Sequence, residues 1–305
     1  MINGEQEHLA PPNKFDQGLY PSANIGIIGY GFVGEAVGIG FNHRSNSRDK
    51  IRWYDKYKKH SLPIEQVVGS SEFIFICLPT PMKKDQSGYD LSIIEENIAQ
   101  ITPLTNSTDK IIVIKSTVEP GTTESFEKKY PQSSFCFNPE FLTERNYLDD
   151  FINATETIIG ASSDLVWRRV AGLYRPRFPR TNIHPNPGPT AAETIKQVKN
   201  AFLSTKVDFF NLVYEYCEAL GLNFEDVRKM VCSDSRIGDS HSFVTSQRGF
   251  GGKCFPKDLV ALTASFKRAN VNPDILEAVW EHNLRIRTVH DWEEIPFAVE
   301  NNTNQ

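Results

Sequence analysis

Ile25-Gly26-Ile27-Ile28 runs directly into Gly29-Tyr30-Gly31-Phe32-Val33-Gly34, a short apolar strand followed by G-x-G-x-x-G at the mouth of a helical stretch. Glycines at this spacing permit a tight turn and let a pyrophosphate approach the backbone at the helix N-terminus. The second strand, Ile51–Tyr54, ends at Asp55, 21 residues after Gly34. A carboxylate there accepts hydrogen bonds from the adenosine ribose and repels a 2′-phosphate, which favours NAD over NADP. The competing reading of Asp55 is a solvated charge at a strand end. Gly29 to Gly34 and Asp55 are therefore the candidate cofactor-binding residues.

Further along, short apolar runs alternate with polar or helical stretches, the pattern of a parallel α/β sheet. Phe73–Cys77 and Ile111–Ile114 are continuously apolar, as strands buried on both faces must be. Phe135–Phe137 and Thr157–Ile159 complete an expected six-stranded set, with Cys77 and Cys136 as core residues. Five prolines between Pro176 and Pro189 mark a boundary. Beyond them one long helix is expected over Ala191–Leu220, carrying Ile195, Val198, Phe202, Phe209, Leu212, Tyr216 and Leu220 at helical spacing and stopped by Gly221. Two further helices are expected at Lys257–Ala269 and Pro273–His290. The fold class is α/β: a Rossmann-like doubly wound parallel sheet, then a long central helix and a small all-helical domain. The expected divisions are a disordered tail at 1–23, the nucleotide-binding domain at 24–186, the helical domain at 187–292 and a disordered tail at 293–305. The long helix outruns a small domain, which points to a homodimer built along it.

With 39% hydrophobic and 23% charged residues the chain has the composition of a soluble globular protein. Its net charge of -5 gives no reason to expect nucleic acid or an anionic membrane as partner. No apolar run reaches the ~18 residues of a membrane span. The N-terminal stretch lacks the basic and apolar regions of a signal peptide. Five scattered cysteines without a C-x-x-C pair argue against a disulfide framework and against a zinc site. A reducing cytoplasm fits this usage, and no metal is expected.

The chemistry concentrates in Gly249-Phe250-Gly251-Gly252-Lys253-Cys254-Phe255-Pro256-Lys257-Asp258. One thiol stands between a glycine-rich loop and a helix start, with Pro256 suited to the first turn. Lys253, Lys257 and the helix N-terminus all favour an anion at Cys254, so its thiol is expected to ionise more readily than an ordinary cysteine. Asp258, one turn on, supplies an acid/base partner. A buried structural cysteine is the bland alternative. On the long helix, Lys196 and Asn200 are four residues apart and share a face, with Glu193 on the same side. They are either solvent-facing or aimed into a cleft, where they stabilise an oxyanion. Lys199 and Lys206 are rival lysines that spacing alone does not separate. Ser116–Thr122 and Asn138–Glu144 each follow a strand, where α/β sites gather.

Taken in order, these stretches resemble the UDP-glucose/GDP-mannose dehydrogenase family from Asn24 to about Arg287. The resemblance is carried by Gly29–Gly34, Cys77-Leu78-Pro79-Thr80-Pro81, Lys115–Gly121, Asn138–Glu144 with Asp149-Asp150-Phe151, and Ala192–Lys196 with Asn200–Leu203. Ser235–Gly238, Gly249–Asp258 and Asn272–Val279 extend it. It implies a four-electron oxidation of a sugar C6 alcohol, with UDP-glucose the expected substrate, using two NAD in succession. Cys254 would trap the aldehyde as a thiohemiacetal that becomes a thioester. Lys196 and Asn200 would stabilise oxyanions, and Asp258, with Thr117 and a water, would manage protons. Glu140 matches an acid/base residue. Pro79, Thr80, Thr117 and Glu144 join the cofactor set, Glu144 near the nicotinamide. Glu140, Phe141, Leu142, Lys196, Asn200, Phe250 and Gly251 form the substrate set, and Arg236 matches an arginine that in some members reaches the neighbouring subunit's sugar site.

The sequence departs from the family in two places. The segment between Asp55 and Phe73 is short, and the chain stops where the family continues into a second Rossmann-like domain that grips the sugar nucleotide. The resemblance then implies a retained sugar site with a poor hold on the nucleotide. Two alternatives stand beside it: a single-step β-hydroxyacid-type dehydrogenase, which needs no thiol, and a catalytically impaired NAD-binding partner protein.

Overall fold

The computed structural model describes residues 22–43, 49–106 and 108–300. Two compact units result, one comprising residues up to Pro79 together with Ser92–Glu193, the other Thr80–Leu91 together with Thr194 onward.

The first unit runs β1 (Asn24–Ile28), α1 (Phe32–His43), β2 (Lys50–Tyr54), α2 (Ile64–Gly69), β3 (Phe73–Ile76), α3 (Ser92–Ile101), β4 (Ile111–Ile114), α4 (Thr122–Lys129) and β5 (Ser134–Phe137). It continues through α5 (Tyr147–Ile152), β6 (Glu156–Thr157), α6 (Asp164–Arg177) and β7 (Asn182–Ile183). Five strands form one parallel sheet in the order β2-β1-β3-β4-β5. The apolar runs of β3 and β4 are buried throughout, as strands covered on both faces should be. The short segment after Asp55 accounts for the order. It holds only α2 before the chain crosses β1 to form β3, so no third strand flanks β2 and the direction of winding reverses between β1 and β3. Ligands of open α/β sheets bind at such a reversal, beyond the carboxyl ends of the strands.

Thr157–Ile159, expected as the sixth strand, does not join this sheet. Thr157 pairs instead with Ile183 in a two-stranded β6–β7 ribbon, and the following Gly160 meets Phe137 of β5 in an isolated antiparallel bridge. An apolar run marks burial, and Ile158 and Ile159 are buried, without fixing what the backbone pairs with. Phe41 of α1 centres the core, its ring 5.1 to 5.9 Å from those of Phe75, Phe151, Tyr174 and Phe178. Of the N-terminal tail expected at 1–23, residues 1–21 lie outside the described residues. Ala23 is buried, its N–H donating to Asp49 Oδ1 at 2.7 Å.

The proline-rich stretch does not coincide with the division between units. Pro176 lies inside α6, and the division falls within α7 (Pro189–Leu220), whose residues 189–193 belong to the first unit. Helix α7 has 32 residues, about 48 Å of length, and Gly221 at φ +66° ends it.

The second unit adds α8 (Phe224–Cys232), α9 (Phe255–Arg268) and α10 (Asp274–Ile286). Helix α8 was not expected, although Asn223 caps it, accepting from the N–H groups of Glu225 and Asp226. Thr80–Leu91 also belongs here: Met82 N–H donates to Ala298 O at 2.8 Å, and Glu300 N–H to Met82 O at 2.8 Å. The tail expected from 293 onward is therefore folded as far as residue 300, with Ala298 and Val299 packed in a cluster containing Leu259, Trp280 and Trp292. The buried side of α7 is mixed: polar Lys196, Gln197, Asn200, Ser204, Asp208 and Asn211 are buried along with apolar Ala192, Ala201, Phe210 and Cys217, while Val198, Phe202, Phe209, Leu212, Tyr216 and Leu220 face out.

Candidate functional site

In the first unit the three loop glycines answer to different constraints. Gly29 lies at φ +87°, and a Cβ there would stand 2.6 Å from Cys77 O. A Cβ on Gly34 would come within 2.0 Å of Gly29 O, so the turn and the packing of α1 on β1 exclude any side chain. A Cβ on Gly31 would meet nothing within 4 Å. The space above the middle glycine is open at the α1 N-terminus, where a pyrophosphate would lie. Asp55 is fixed beside the loop, accepting from Tyr30 N–H at 2.8 Å and Tyr57 N–H at 2.9 Å. Each carboxylate oxygen keeps a second lone pair, so a ribose diol finds acceptors there. These residues fit a dinucleotide.

At the carboxyl ends of β4 and β5 the loops bearing Thr117 and Glu140 are tied together at their bases. Buried Lys115 donates to Asn138 O at 3.2 Å and Oδ1 at 3.1 Å, and Tyr174 O–H donates to Asn138 Oδ1 at 2.7 Å. Thr117 and Glu140 are both buried, with Glu140 accepting from Leu142 N–H at 2.7 Å. Phe141, Leu142 and Pro79 are half-buried, and Glu144 is exposed. Burial pushes the Cys77 thiol up to about 12 and the Cys136 thiol higher still, as expected of inert core cysteines.

Glu193 is wholly buried, not solvent-facing. It closes the start of α4, accepting from Gly121 N–H at 2.6 Å, Thr123 N–H at 2.8 Å and Thr123 O–H at 2.6 Å. Burial still raises its pKa to about 7, against the lowering effect of those hydrogen bonds.

In the second unit Cys254 is the N-cap of α9 and the one half-buried cysteine of five, the others being buried. Asp258 is fully buried. Its Oδ1 receives Lys257 Nζ at 2.6 Å and Tyr89 O–H at 2.8 Å, and its Oδ2 receives Asn200 Nδ2 at 2.6 Å. Burial alone would raise this carboxyl; the charges of Lys257 and Lys196, with hydrogen bonds from Lys257 and Tyr89, outweigh it and hold the group below its ordinary value. Asp258 is thus an ionised anchor that orients Asn200 and balances two buried ammonium groups. The structure also separates the rival lysines. Lys196 is buried, Lys199 is half-buried, and Lys206 donates to Ile237 O at 2.8 Å and Gly238 O at 2.9 Å. Thr80 and Phe250 are buried and Gly251 is half-buried. Arg236 is exposed and paired with Asp234.

Three participants were not anticipated from the sequence. Tyr89 stands 169 positions from the carboxylate it meets and gives no local signal. Lys257 figured only as a positive neighbour of the thiol, and Glu193 only as a member of the Lys196 face. Among the described residues there is no cluster able to hold a metal ion and no helix long and apolar enough to cross a membrane.

A doubly wound parallel sheet with this glycine turn defines a dinucleotide-binding α/β protein, and its helical unit carries Cys254 at the head of α9 one turn before the Asp258 carboxylate that holds Asn200. Residues 54–178 match the NAD binding domain and residues 190–285 the central domain of the UDP-glucose/GDP-mannose dehydrogenase family. The chain belongs to that family and carries its NAD-binding domain. It is 31% identical over 298 residues to a UDP-glucose 6-dehydrogenase of Rickettsia prowazekii, covering 85% of this chain and 66% of the relative. Against a UDP-glucose 6-dehydrogenase of Bacillus subtilis it is 35% identical over 234 residues, covering 73% of this chain and 49% of the relative. A solved UDP-glucose dehydrogenase from Pyrobaculum islandicum superposes with a TM-score of 0.77 at 26% identity, covering 88% of this chain and 70% of that one. A 3-hydroxyisobutyrate dehydrogenase of Mycobacterium tuberculosis, at a TM-score of 0.68 and 11% identity, shares the fold.

Proposed function

We propose that this chain oxidises the C6 alcohol of a nucleotide sugar, UDP-glucose by the names of its relatives, to the uronic acid through a covalent intermediate on Cys254. Gly29–Gly34 and Asp55 would hold NAD, which would supply the hydride acceptor for each of the two oxidations, one NAD for each. The alcohol loses a hydride and a proton to give an aldehyde. The Cys254 thiolate adds to the aldehyde carbon, forming a C–S bond, and the resulting thiohemiacetal loses a second hydride and a proton to give a thioester. Water then cleaves the C–S bond, releasing the acid and the thiol. Lys196 and Asn200 stabilise the oxyanions, with Asn200 held in place by Asp258. Thr117 and Glu140, at the ends of adjacent strands, serve proton movement and binding of the sugar. The observation that carries this reading is the half-buried thiol at the head of α9, preceded by a glycine-rich loop and followed one turn later by an ionised carboxylate bonded to Asn200. A single-step β-hydroxyacid oxidation needs no such thiol, which favours the two-step reaction over it.

The exposed apolar stripe of α7 supports a homodimer along this helix, and Arg236, exposed near its surface turn, is suited to serve the neighbouring copy's substrate. The deciding experiment measures NADH release with UDP-sugars, GDP-sugars and free sugars, with product analysis by mass spectrometry. Two NADH per acid formed from a UDP-sugar is the expected result. Release of one NADH per ketone or aldehyde product overturns the two-step reading, and no release with any sugar overturns the enzymatic one.

A further inference from the structure

The loop before the thiol is held by side chains that the family motif does not include. Arg248 at φ +59° and Gly249 at φ +52° are consecutive left-handed residues, and Gly252 follows at φ +75°. A non-glycine residue in that region costs about 1 kcal/mol or more and persists where its surroundings over-determine it. Here the main chain is bonded group by group. Asn211 Oδ1 accepts from Gly249 N–H at 3.0 Å. Asn283 makes a two-way contact with Phe250, accepting its N–H at 2.7 Å and donating to its carbonyl at 3.1 Å. Arg287 donates to Arg248 O at 2.8 Å, and the Asp291 carboxylate accepts Gly252 N–H at 3.2 Å while paired with Arg287 at 3.0 Å.

Both asparagines are completely buried. The seat is close: a Cβ on Gly249 would stand 2.2 Å from Asn283 Oδ1, and one on Gly251 would stand 2.1 Å from Arg287 Nη2. A loop that merely joined two elements would leave these groups to water. Only Lys253 separates Gly252 from Cys254, whose carbonyl accepts Asp258 N–H at 3.0 Å in the first turn of α9.

We propose that Asn211, Asn283 and the Arg287–Asp291 pair are positioning residues for Cys254, fixing the Gln247–Gly252 loop so that the thiol is held at the N-terminal end of α9. The proposal rests on reading Cys254 as the nucleophile. Its test is independent of any substrate: the rate of Cys254 alkylation by iodoacetamide, mapped by mass spectrometry across pH, in the parent chain, Asn283→Asp and Asp291→Ala. Asn283→Asp keeps the acceptor for Phe250 N–H but sets an oxygen against Phe250 O. Asp291→Ala removes a partly exposed side chain that lies outside α1–α10, and circular dichroism checks that it folds. The buried cysteines Cys77, Cys136, Cys217 and Cys232 report unfolding by becoming labelled. A thiol fixed at a helix N-terminus is favoured as thiolate. The expected result is a midpoint of alkylation displaced to higher pH and a rate at pH 7 at least threefold lower in both variants, with the buried cysteines unlabelled. Unchanged midpoints and rates overturn the proposal. So does faster labelling at an unmoved midpoint, which would make the loop only a shield. Failure of the oxidation assay, by contrast, would bear on the function and leave this result standing.

Discussion

Glu193 receives three hydrogen bonds of 2.6 to 2.8 Å, yet its burial makes it easier to protonate than a carboxylate in water. The opposing effects give a pH signature. Its pKa rises from 4.5 to about 7 on folding, so its contribution is fully present below 4.5 and lost as pH rises through about 7. The loss is on the order of 3 kcal/mol. Glu193→Gln gives up the bond to Gly121 N–H but cannot titrate. Thermal melts from pH 4.5 to 8 should therefore converge, the parent losing melting temperature relative to the variant as pH rises. Parallel curves would mean that Glu193 is ionised throughout. Cys254 differs from its fellow cysteines in a way that predicts activity. Cys254→Ala should lower acid formation by several orders of magnitude. Cys232→Ala, in a small cluster with Phe210, Cys217 and Phe224, should leave it within about twofold, because it removes only a small buried group. Acid produced by Cys254→Ala near the parent rate would end the thioester mechanism.

At the scale of elements, α7 buries a mixed side, with Ala201, Phe210 and Cys217 beside its buried polar residues, and leaves a second, apolar stripe exposed. A helix in a single copy would turn Phe202, Phe209, Leu212 and Tyr216 to the core; all four are more than half exposed while Asn200, Ser204 and Asn211 are buried. Covering such side chains is worth about 1 to 2 kcal/mol each, which over two copies is comparable to the ~4–15 kcal/mol cost of association. A two-fold pairing presents the same stripe on both sides. Light scattering at micromolar concentration should report a dimer, and Phe209→Glu with Tyr216→Glu should give a monomer with unchanged circular dichroism. A monomeric parent chain would dispose of the interface and of any role for Arg236 across it. The helix itself was readable from spacing and its stop glycine, but which side faced inward was not, because periodicity gives a stripe without saying what it meets. The same limit explains Thr157–Ile159, where burial was legible and pairing was not. The glycine turn, Asp55 and the Cys254 loop could be picked out as candidates because each is written in consecutive or regularly spaced residues. Tyr89 and the Asn211–Asn283 support could not, since they act across 33 to 169 positions of chain.

For the molecule as a whole, the residues proposed for the cofactor and those proposed for the thiol chemistry fall in different compact units. The glycine turn and Asp55 lie within the first unit, and Cys254, Lys196, Asn200 and Asp258 lie within the second. Each part is completed locally: Asp55 is fixed by Tyr30 and Tyr57, and Asp258 by Lys257, Tyr89 and Asn200. Binding of the dinucleotide and reactivity of the thiol should then respond to different substitutions. Asp55→Ala removes the acceptor for the ribose and the repulsion of a 2′-phosphate. Calorimetry should find NAD affinity at least tenfold weaker and the preference over NADP narrowed, while Cys254 alkylates at the parent rate. Cys254→Ala should bind NAD within about twofold of the parent. Equal affinity of the parent chain for NAD and NADP would show that Asp55 does not meet the ribose. A change in Cys254 alkylation on removing Asp55 would show instead that the two parts are energetically coupled, and that neither can be assigned to one unit alone.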